Sequence, residues 1–190
     1  KGDYPLYLDP RAEHRWHTPS GKVELYSQQL ADAGFDPLPG YHPQPAPPPG
    51  SMRMLYGRSP VHSFGRTQNN PILNDLTPGN CVWLHPDCAK AQGVVHGEWV
   101  MLRNGHGDET GPIRVRVSER ILPKTLYLVH GFGHSATGLS RACCMGGNDT
   151  AVLDTYATCP ISGATGMRTE FVTLRPLAPG ERERYPCVTV

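Results

Sequence analysis

Three segments of the chain gather arginine, histidine, hydroxyl and amide side chains around closely spaced glycines. The first, GRSPVHSFGRTQNN from Gly57 to Asn70, has almost no aliphatic filling and cannot build a core. Arg58 and Arg66 carry forked donors suited to phosphate or carboxylate. Ser59, Ser63 and Thr67 add hydroxyls, His62 adds an imidazole, and Asn69 and Asn70 carry amides able to read a heterocycle's edge. Gly57 and Gly65 permit close backbone approach. A solvated loop whose polar residues satisfy their own backbone would have the same composition.

The second segment, HGFGHSATGLSRACCMGGND from His130 to Asp149, repeats the pattern. Glycine at the density of Gly131 and Gly133 costs folding entropy unless something must approach the backbone. His130, His134, Ser135, Asn148 and Asp149 stand beside it. A carboxylate such as Asp149 can bond both N–H groups on a guanine's pairing edge, or it can cap a turn. The third segment, CPISGATGMRTEFV, places Pro160, Ser162, Gly163 and Gly166 ahead of Arg168. Three such segments suit one elongated, polar, phosphate-bearing ligand. No helix-opening G-x-G-x-x-G and no GK[ST] phosphate loop is present, which argues against a nucleotide hydrolase or a Rossmann enzyme. None of the nine histidines falls as H-x-x-x-H on an expected helix, so His62 and His134 read as ligand-loop donors rather than metal ligands.

The elements that must position these loops are strands. MRMLYG reads as a buried strand feeding the first segment, CVWLHP alternates as a strand, and PKTLYLVHG ends in the second segment. GEWVMLRNG and GPIRVRVSERI read as a hairpin across a polar turn, and TEFVTLRPL is the last strand. PILNDL reads as a helical turn, and HPDCAKAQGV as a short helix with Asp87 near its start and Gly93 closing it. Six or so strands in about 130 residues imply a closed or nearly closed barrel.

Residues 1–50 read instead as an extended arm or linker preceding a domain over 51–190. A turn at Thr18-Pro19-Ser20-Gly21 leads into an extended stretch from Lys22 to Ser27. QQLADAG forms a short helix stopped by Gly34, and FDPLPGYHPQPAPPPG is a semi-rigid proline strap. Such an arm needs a partner, or the remaining body of the same chain, to lie on.

Bulk composition excludes several classes. Charged residues are 18% and the formal net charge is +1, so no global field recruits nucleic acid or anionic lipid. The 38% hydrophobic fraction, with 21 glycines and 20 prolines, disfavours a helical bundle and suits a turn-rich β architecture. No run approaches the roughly 18 apolar residues of a membrane span, and no signal-peptide pattern opens the chain. Lys1 in first place fits processing, a cut, or a fragment of a longer polypeptide. Six cysteines form no Cys-x-x-Cys pair, which argues against zinc ribbons or iron–sulfur ligation within the chain. They read as buried or half-buried thiols. Cys143 and Cys144 are adjacent, where an ordinary disulfide is strained.

TPSGKVELYS, GRSPVHSFGRTQNNP, GLSRA, GGND and PISG, in this order and spacing, resemble the C-terminal region of molybdopterin oxidoreductases, over about Arg15 to Arg175. The nearest branch is similar to the thiosulfate, polysulfide, tetrathionate and arsenate reductases of the dimethyl sulfoxide reductase family. The resemblance implies a mainly β fold, a six-stranded double-psi β-barrel with short flanking helices. It implies a bis(molybdopterin guanine dinucleotide) cofactor with molybdenum or tungsten, gripped by the three loops. Carried over by motif position, the first loop gives Gly57, Arg58, Ser59, His62, Ser63, Phe64, Gly65, Arg66 and Thr67. The second gives His130, Gly131, Phe132, Gly133, His134 and Asn148. The third gives Met167 and Arg168, where relatives often carry an aromatic and a lysine. Relatives commonly have an acidic residue before Pro-Ile-Ser; here it is Cys159, which puts a local turn contact in question.

The family's cysteine motif for a [4Fe–4S] cluster and the domains that ligate the metal are not in these residues. The resemblance therefore assigns the chain no catalytic residue and no metal ligand, and implies that it is inactive alone. It implies partners as well: a larger catalytic molybdopterin subunit or the remainder of the same polypeptide, and an iron–sulfur electron-transfer subunit. The expected reaction is two-electron oxygen- or sulfur-atom transfer on a small inorganic substrate of the thiosulfate, polysulfide, tetrathionate, sulfite or arsenate class. A periplasmic or membrane-associated complex is favoured over the cytoplasm. The rival reading is a non-catalytic assembly module gripping a partner with the same barrel. A stand-alone hydrolase fares badly, because no acid-oriented base accompanies Ser135 and His134.

Overall fold

The computed structural model describes residues 16–38, 40–154, 157–166 and 170–185. The chain divides into two compact units, Lys1–Pro45 and Ala46–Val190. In the first, the Gly21 N–H donates to the Thr18 carbonyl at 3.0 Å with Gly21 at φ 67°, closing the expected turn. The stretch after it is broken by bends at Leu25 and Tyr26 and forms no strand. Helix α1 (Gln28–Asp32) is capped by Ser27, whose hydroxyl accepts from Leu30 N–H at 3.3 Å. Gly34, at φ 79°, follows its end. The proline-rich segment from residue 41 forms no regular element and is largely exposed.

The second unit is a closed barrel. Its strands are β1 (Met52–Gly57), β2 (Cys81–Leu84), β3 (Trp99–Arg103), β4 (Ile113–Val117) and β5 (Thr125–Val129). The two-residue strands β6 (Ala157–Thr158) and β7 (Thr165–Gly166) pair as a separate ribbon, and β8 (Phe171–Pro176) completes the barrel. The order around it is β1-β5-β2-β4-β3-β8, and β8 pairs with β1 to close it. The β1–β5 and β2–β4 pairs are parallel and the rest antiparallel. The closed six-stranded barrel is the one expected from the sequence, and its pairing is mixed.

Alternation dictates the interior. Each barrel strand sends two residues spaced i, i+2 inward, as with Met52 and Met54 on β1 or Leu126 and Leu128 on β5. Burial of each such side chain is worth about 1.5–3 kcal/mol. Helix α2 (Pro71–Leu76) and helix α3 (Pro86–Gln92) both open on proline, which suits the first helical turn. Gly93 ends α3 in the left-handed region at φ 66°. Strands β3 and β4 form the expected antiparallel pair, but only at Trp99–Arg114 and Val100–Ile113. Beyond that the connection folds back, with Thr110 N–H donating to the Leu102 carbonyl at 3.0 Å. Where β3 and β8 pair, Arg175 of β8 binds Glu109 at 2.8 Å and Glu181 at 2.8 Å, and Arg103 of β3 joins Glu109 at 2.9 Å.

Candidate functional site

Parallel pairing of β1 and β5 aligns Gly57 with Val129, so the loops that follow leave the same end of the barrel side by side. The His130 N–H donates to the Gly57 carbonyl at 2.8 Å, extending the pairing by one step. Beyond it the loops press together at their glycines. A Cβ on Gly131, at φ 93°, would stand 2.9 Å from the Gly65 nitrogen. On Gly65 it would meet Nε2 of His134 at 2.5 Å, and on Gly133, at φ 77°, the Asn148 nitrogen at 2.5 Å. The close approach that these glycines permit is therefore between the two loops at Gly65 and Gly131, and between the two limbs of the second loop at Gly133. Gly57 likewise makes room for Oη of Tyr127, 2.9 Å from where its Cβ would lie.

Side chains of the first loop fall into two groups. His62 is 4% exposed and braced: Nε2 lies 2.8 Å from the Thr77 carbonyl and Nδ1 3.4 Å from Oγ1 of Thr67. A carbonyl only accepts, so the proton sits on Nε2. The ring packs edge-on against buried Phe132, 5.7 Å between centroids. Ser59 accepts from the Val61 and His62 N–H groups at 3.0 and 3.2 Å, and Thr67 accepts from Ser63 N–H at 2.9 Å. Asn69 and Asn70 both spend their side-chain oxygens inside the protein. Asn69 Oδ1 accepts from the Arg141 and Ala142 N–H groups at 2.9 and 3.2 Å, tying the two loops, while Asn70 caps α2 through Ile72 and Leu73.

Arg58, Ser63, Phe64 and Arg66 face outward. Phe64 holds φ 53°, rare for a side chain of its size, and its ring is two-fifths exposed. The Arg58 guanidinium lies over that ring at 5.4 Å, and the His130 ring meets it edge-on at 5.4 Å. Arg66 donates to Ser63 Oγ at 3.1 Å. Among the described residues neither arginine has a carboxylate partner, whereas nearby Arg141 is paired with Asp75 at 2.5 Å.

In the second loop, Asp149 is wholly buried. Its Oδ2 lies 2.6 Å from Nδ1 of His130 and its Oδ1 accepts from Gly131 N–H at 3.3 Å. A guanine edge cannot reach it; the carboxylate orients His130, whose Nε2 has no partner among the described residues. His134 is held through its backbone, its carbonyl accepting from Cys144 N–H at 2.5 Å, while its buried Nε2 has no partner among the described residues. Asn148 caps the 3-10 turn over 149–152, its Oδ1 accepting from Thr150 N–H at 3.1 Å and Oγ1 at 2.7 Å.

Asn80 is a positioning residue that sequence reasoning passed over. Its Nδ2 donates to the carbonyls of Val129 and Gly147 at 2.8 and 3.0 Å, and its Oδ1 accepts from Gly147 N–H at 2.8 Å. These bonds fix both ends of the second loop. The third loop is the β6–β7 ribbon. Cys159 opens its turn, with Ser162 N–H donating to its sulfur at 3.5 Å. Hydrogen bonds from Ser162, side chain first and backbone next, then from Ile161, pull this thiol below its ordinary range. Met167 and Arg168 lie outside the described residues.

The rim thus presents two guanidinium groups without a carboxylate partner among the described residues, an exposed aromatic face, and a carboxylate-oriented imidazole over a tightly packed glycine seam. An elongated anion with an aromatic end fits that donor set. Comparisons with known proteins bear on it directly. Thiosulfate reductase molybdopterin-containing subunit PhsA of Salmonella typhimurium is 35% identical over 165 residues, covering 84% of this chain and 21% of that protein. Acetylene hydratase of Syntrophotalea acetylenica is 36% identical over 100 residues, 47% of this chain and 14% of that protein. Dimethyl sulfoxide reductase DmsA of Escherichia coli is 28% identical over 181 residues, 86% and 21% of the two chains. The chain thus spans about a fifth or less of the curated relatives it matches. The solved acetylene hydratase from Pelobacter acetylenicus shares the fold, with a TM-score of 0.69 at 23% identity over 92% of this chain and 26% of that one. Residues 52–169 match the family described as Molydopterin dinucleotide binding domain, and the chain belongs to it, as a domain of the kind carried by oxidoreductases of the dimethyl sulfoxide reductase family.

Proposed function

We propose that the two outward loops grip a bis(molybdopterin guanine dinucleotide) and form one wall of its site, in an enzyme acting on thiosulfate or a related sulfur oxyanion or polysulfide. The observation that carries this is the pair Arg58 and Arg66, unneutralised among the described residues at the end of the barrel where β1 and β5 deliver their loops. The buried Nε2 of His134, pressed on Gly65 and without a partner among the described residues, adds a donor or acceptor in the same seam.

When bound, the molybdenum or tungsten centre of that cofactor supplies the two-electron atom transfer. The chain's own residues bind and orient. Arg58 and Arg66 neutralise pyrophosphate oxygens. Phe64, fixed by its strained backbone, offers a ring face, and His130 turns Nε2 outward because Asp149 holds Nδ1. Asn148 keeps its amide N–H groups for the guanine or pterin end. The sulfur-substrate choice rests on the thiosulfate reductase match, which covers far more of this chain than the acetylene hydratase match does. The catalytic body, the iron–sulfur subunit and a periplasmic or membrane-associated setting belong to the same proposal. No described helix is long and apolar enough to cross a membrane.

The test is Arg66→Ala in the assembled enzyme, read by elemental analysis for molybdenum and tungsten and by released guanine nucleotide. Loss of a charge-assisted contact worth about 1.5–3 kcal/mol lowers cofactor affinity roughly 10- to 100-fold. Unchanged metal and guanine content under dilution would overturn the assignment.

A further inference from the structure

Cys143 and Cys144 lie on the limb by which the second loop returns to the barrel. Their Sγ atoms are 3.7 Å apart, and both residues are half-buried. The backbone around them is fixed: Cys143 N–H donates to the Leu139 carbonyl at 3.2 Å, and Cys144 N–H to the His134 carbonyl at 2.5 Å. Cys144 sits in the left-handed region at φ 58°. Its thiol is pushed up, first by the hydrogen bond with Cys143 and next by burial, so it stays protonated at neutral pH.

A disulfide is geometrically remote. The sulfurs would have to close to ~2.05 Å, and neighbouring Cα atoms at ~3.8 Å fall below the ~4.4 Å lower limit of ordinary bridges. A chelate is close. A three-coordinate pyramidal centre with bonds of ~2.3 Å and angles near ~95–100° holds two sulfurs roughly 3.4–3.5 Å apart, a few tenths of an ångström less than the 3.7 Å already present and within reach of a small side-chain rotation. Among the described residues no group of three or more His, Cys, Asp or Glu side chains could hold a metal ion, so the pair does not complete a four-ligand zinc site. It suits a soft centre that needs only two protein ligands.

We propose that Cys143 and Cys144 form a dithiol site for trivalent arsenic compounds. A trivalent arsenical R–As(OH)2 is three-coordinate and exchanges its two oxygen ligands for sulfur. Two As–S bonds form and two As–O bonds break. The two thiol protons leave with the two hydroxides as water, and arsenic stays trivalent. Nothing in the step needs an oxidant or a reductant, and the site is independent of the cofactor reading.

The probe is phenylarsine oxide, titrated into the full 190-residue chain in excess 2-mercaptoethanol and followed by native mass spectrometry, with circular dichroism to confirm the fold. The excess monothiol strips arsenic from isolated cysteines. One equivalent is expected to be retained, and to be released by 2,3-dimercaptopropanol. Cys143→Ser and Cys144→Ser each lower retention about 10²- to 10⁴-fold, the gain from engaging a second thiol within one molecule. A variant carrying Cys81→Ser, Cys88→Ser, Cys159→Ser and Cys187→Ser retains the equivalent. Retention by both single-serine variants, loss in the fourfold variant with its fold intact, or no retention by the folded wild type overturns the proposal. So does a pair that binds Zn2+ while refusing the arsenical.

Discussion

Asp149 shows how a single side chain organises the site from behind. It has no exposed surface, yet it gives His130 and Gly131 the acceptors they need. Asp149→Ala leaves both donors unanswered, and we expect a loss of about 1–3 kcal/mol in urea unfolding, with cofactor retention falling further as His130 loses its orientation. The glycines make a second case at the same scale. At Gly133, positive φ and a neighbour at 2.5 Å act together, whereas at Gly138 nothing lies within 4 Å of the Cβ position. Positive φ alone costs a side chain about 1–3 kcal/mol, and overpacking adds a similar amount. Gly133→Ala should therefore lower the thermal midpoint clearly while Gly138→Ala leaves it in place. Equal shifts for the two would mean that the outgoing and returning limbs of the second loop are not pressed together at Gly133.

The strands were legible because alternation is local: each apolar pair can be read within five residues, and the barrel follows from six such pairs. The loops were legible as polar and glycine-rich, but their partners were not. Asn69 reaches across 72 residues to Arg141 and Asn80 across 67 to Gly147, and no periodicity carries a contact of that span. The sequence leaves Asp149 open between a guanine edge and a turn for the same reason, since its burial is set by the return of its own loop. The ion-pair cluster around Arg175 on β8 yields a prediction of another kind. Arg175 holds Glu181 at about 2, well below the ordinary 4.5, with the Ala178 N–H adding to the effect, and it also lowers Glu109. A carboxylate depressed in the folded state stabilises the fold above its unfolded value and loses that contribution as pH falls through the folded one. Urea midpoints should thus decline as pH drops from about 4.5 toward 2, and Glu181→Gln should flatten part of that decline while lowering stability at neutral pH. A variant with the same acid profile as wild type would remove Glu181 from the account.

At the scale of the whole molecule, a net charge of +1 means that affinity for an anionic cofactor arises from placement, not from a global field. Placement depends on the barrel, and every hydrophobic residue of the buried cluster falls between Met52 and Leu174. Among the described residues before Ala46, none is buried, and α1 has no buried face. We therefore propose that residues 46–190 fold without the preceding segment, whose worth would lie in contacts with a partner or with the rest of a longer polypeptide. A chain beginning at Ala46 should unfold in one cooperative urea transition, with stability within about 0.5 kcal/mol of the longer chain, as for changes away from a core. The denaturant slope should fall only slightly, because that slope follows the surface exposed on unfolding. If truncation instead broadened the transition or removed several kcal/mol, the arm would be part of the folding unit and its prolines part of the scaffold that aims the loops.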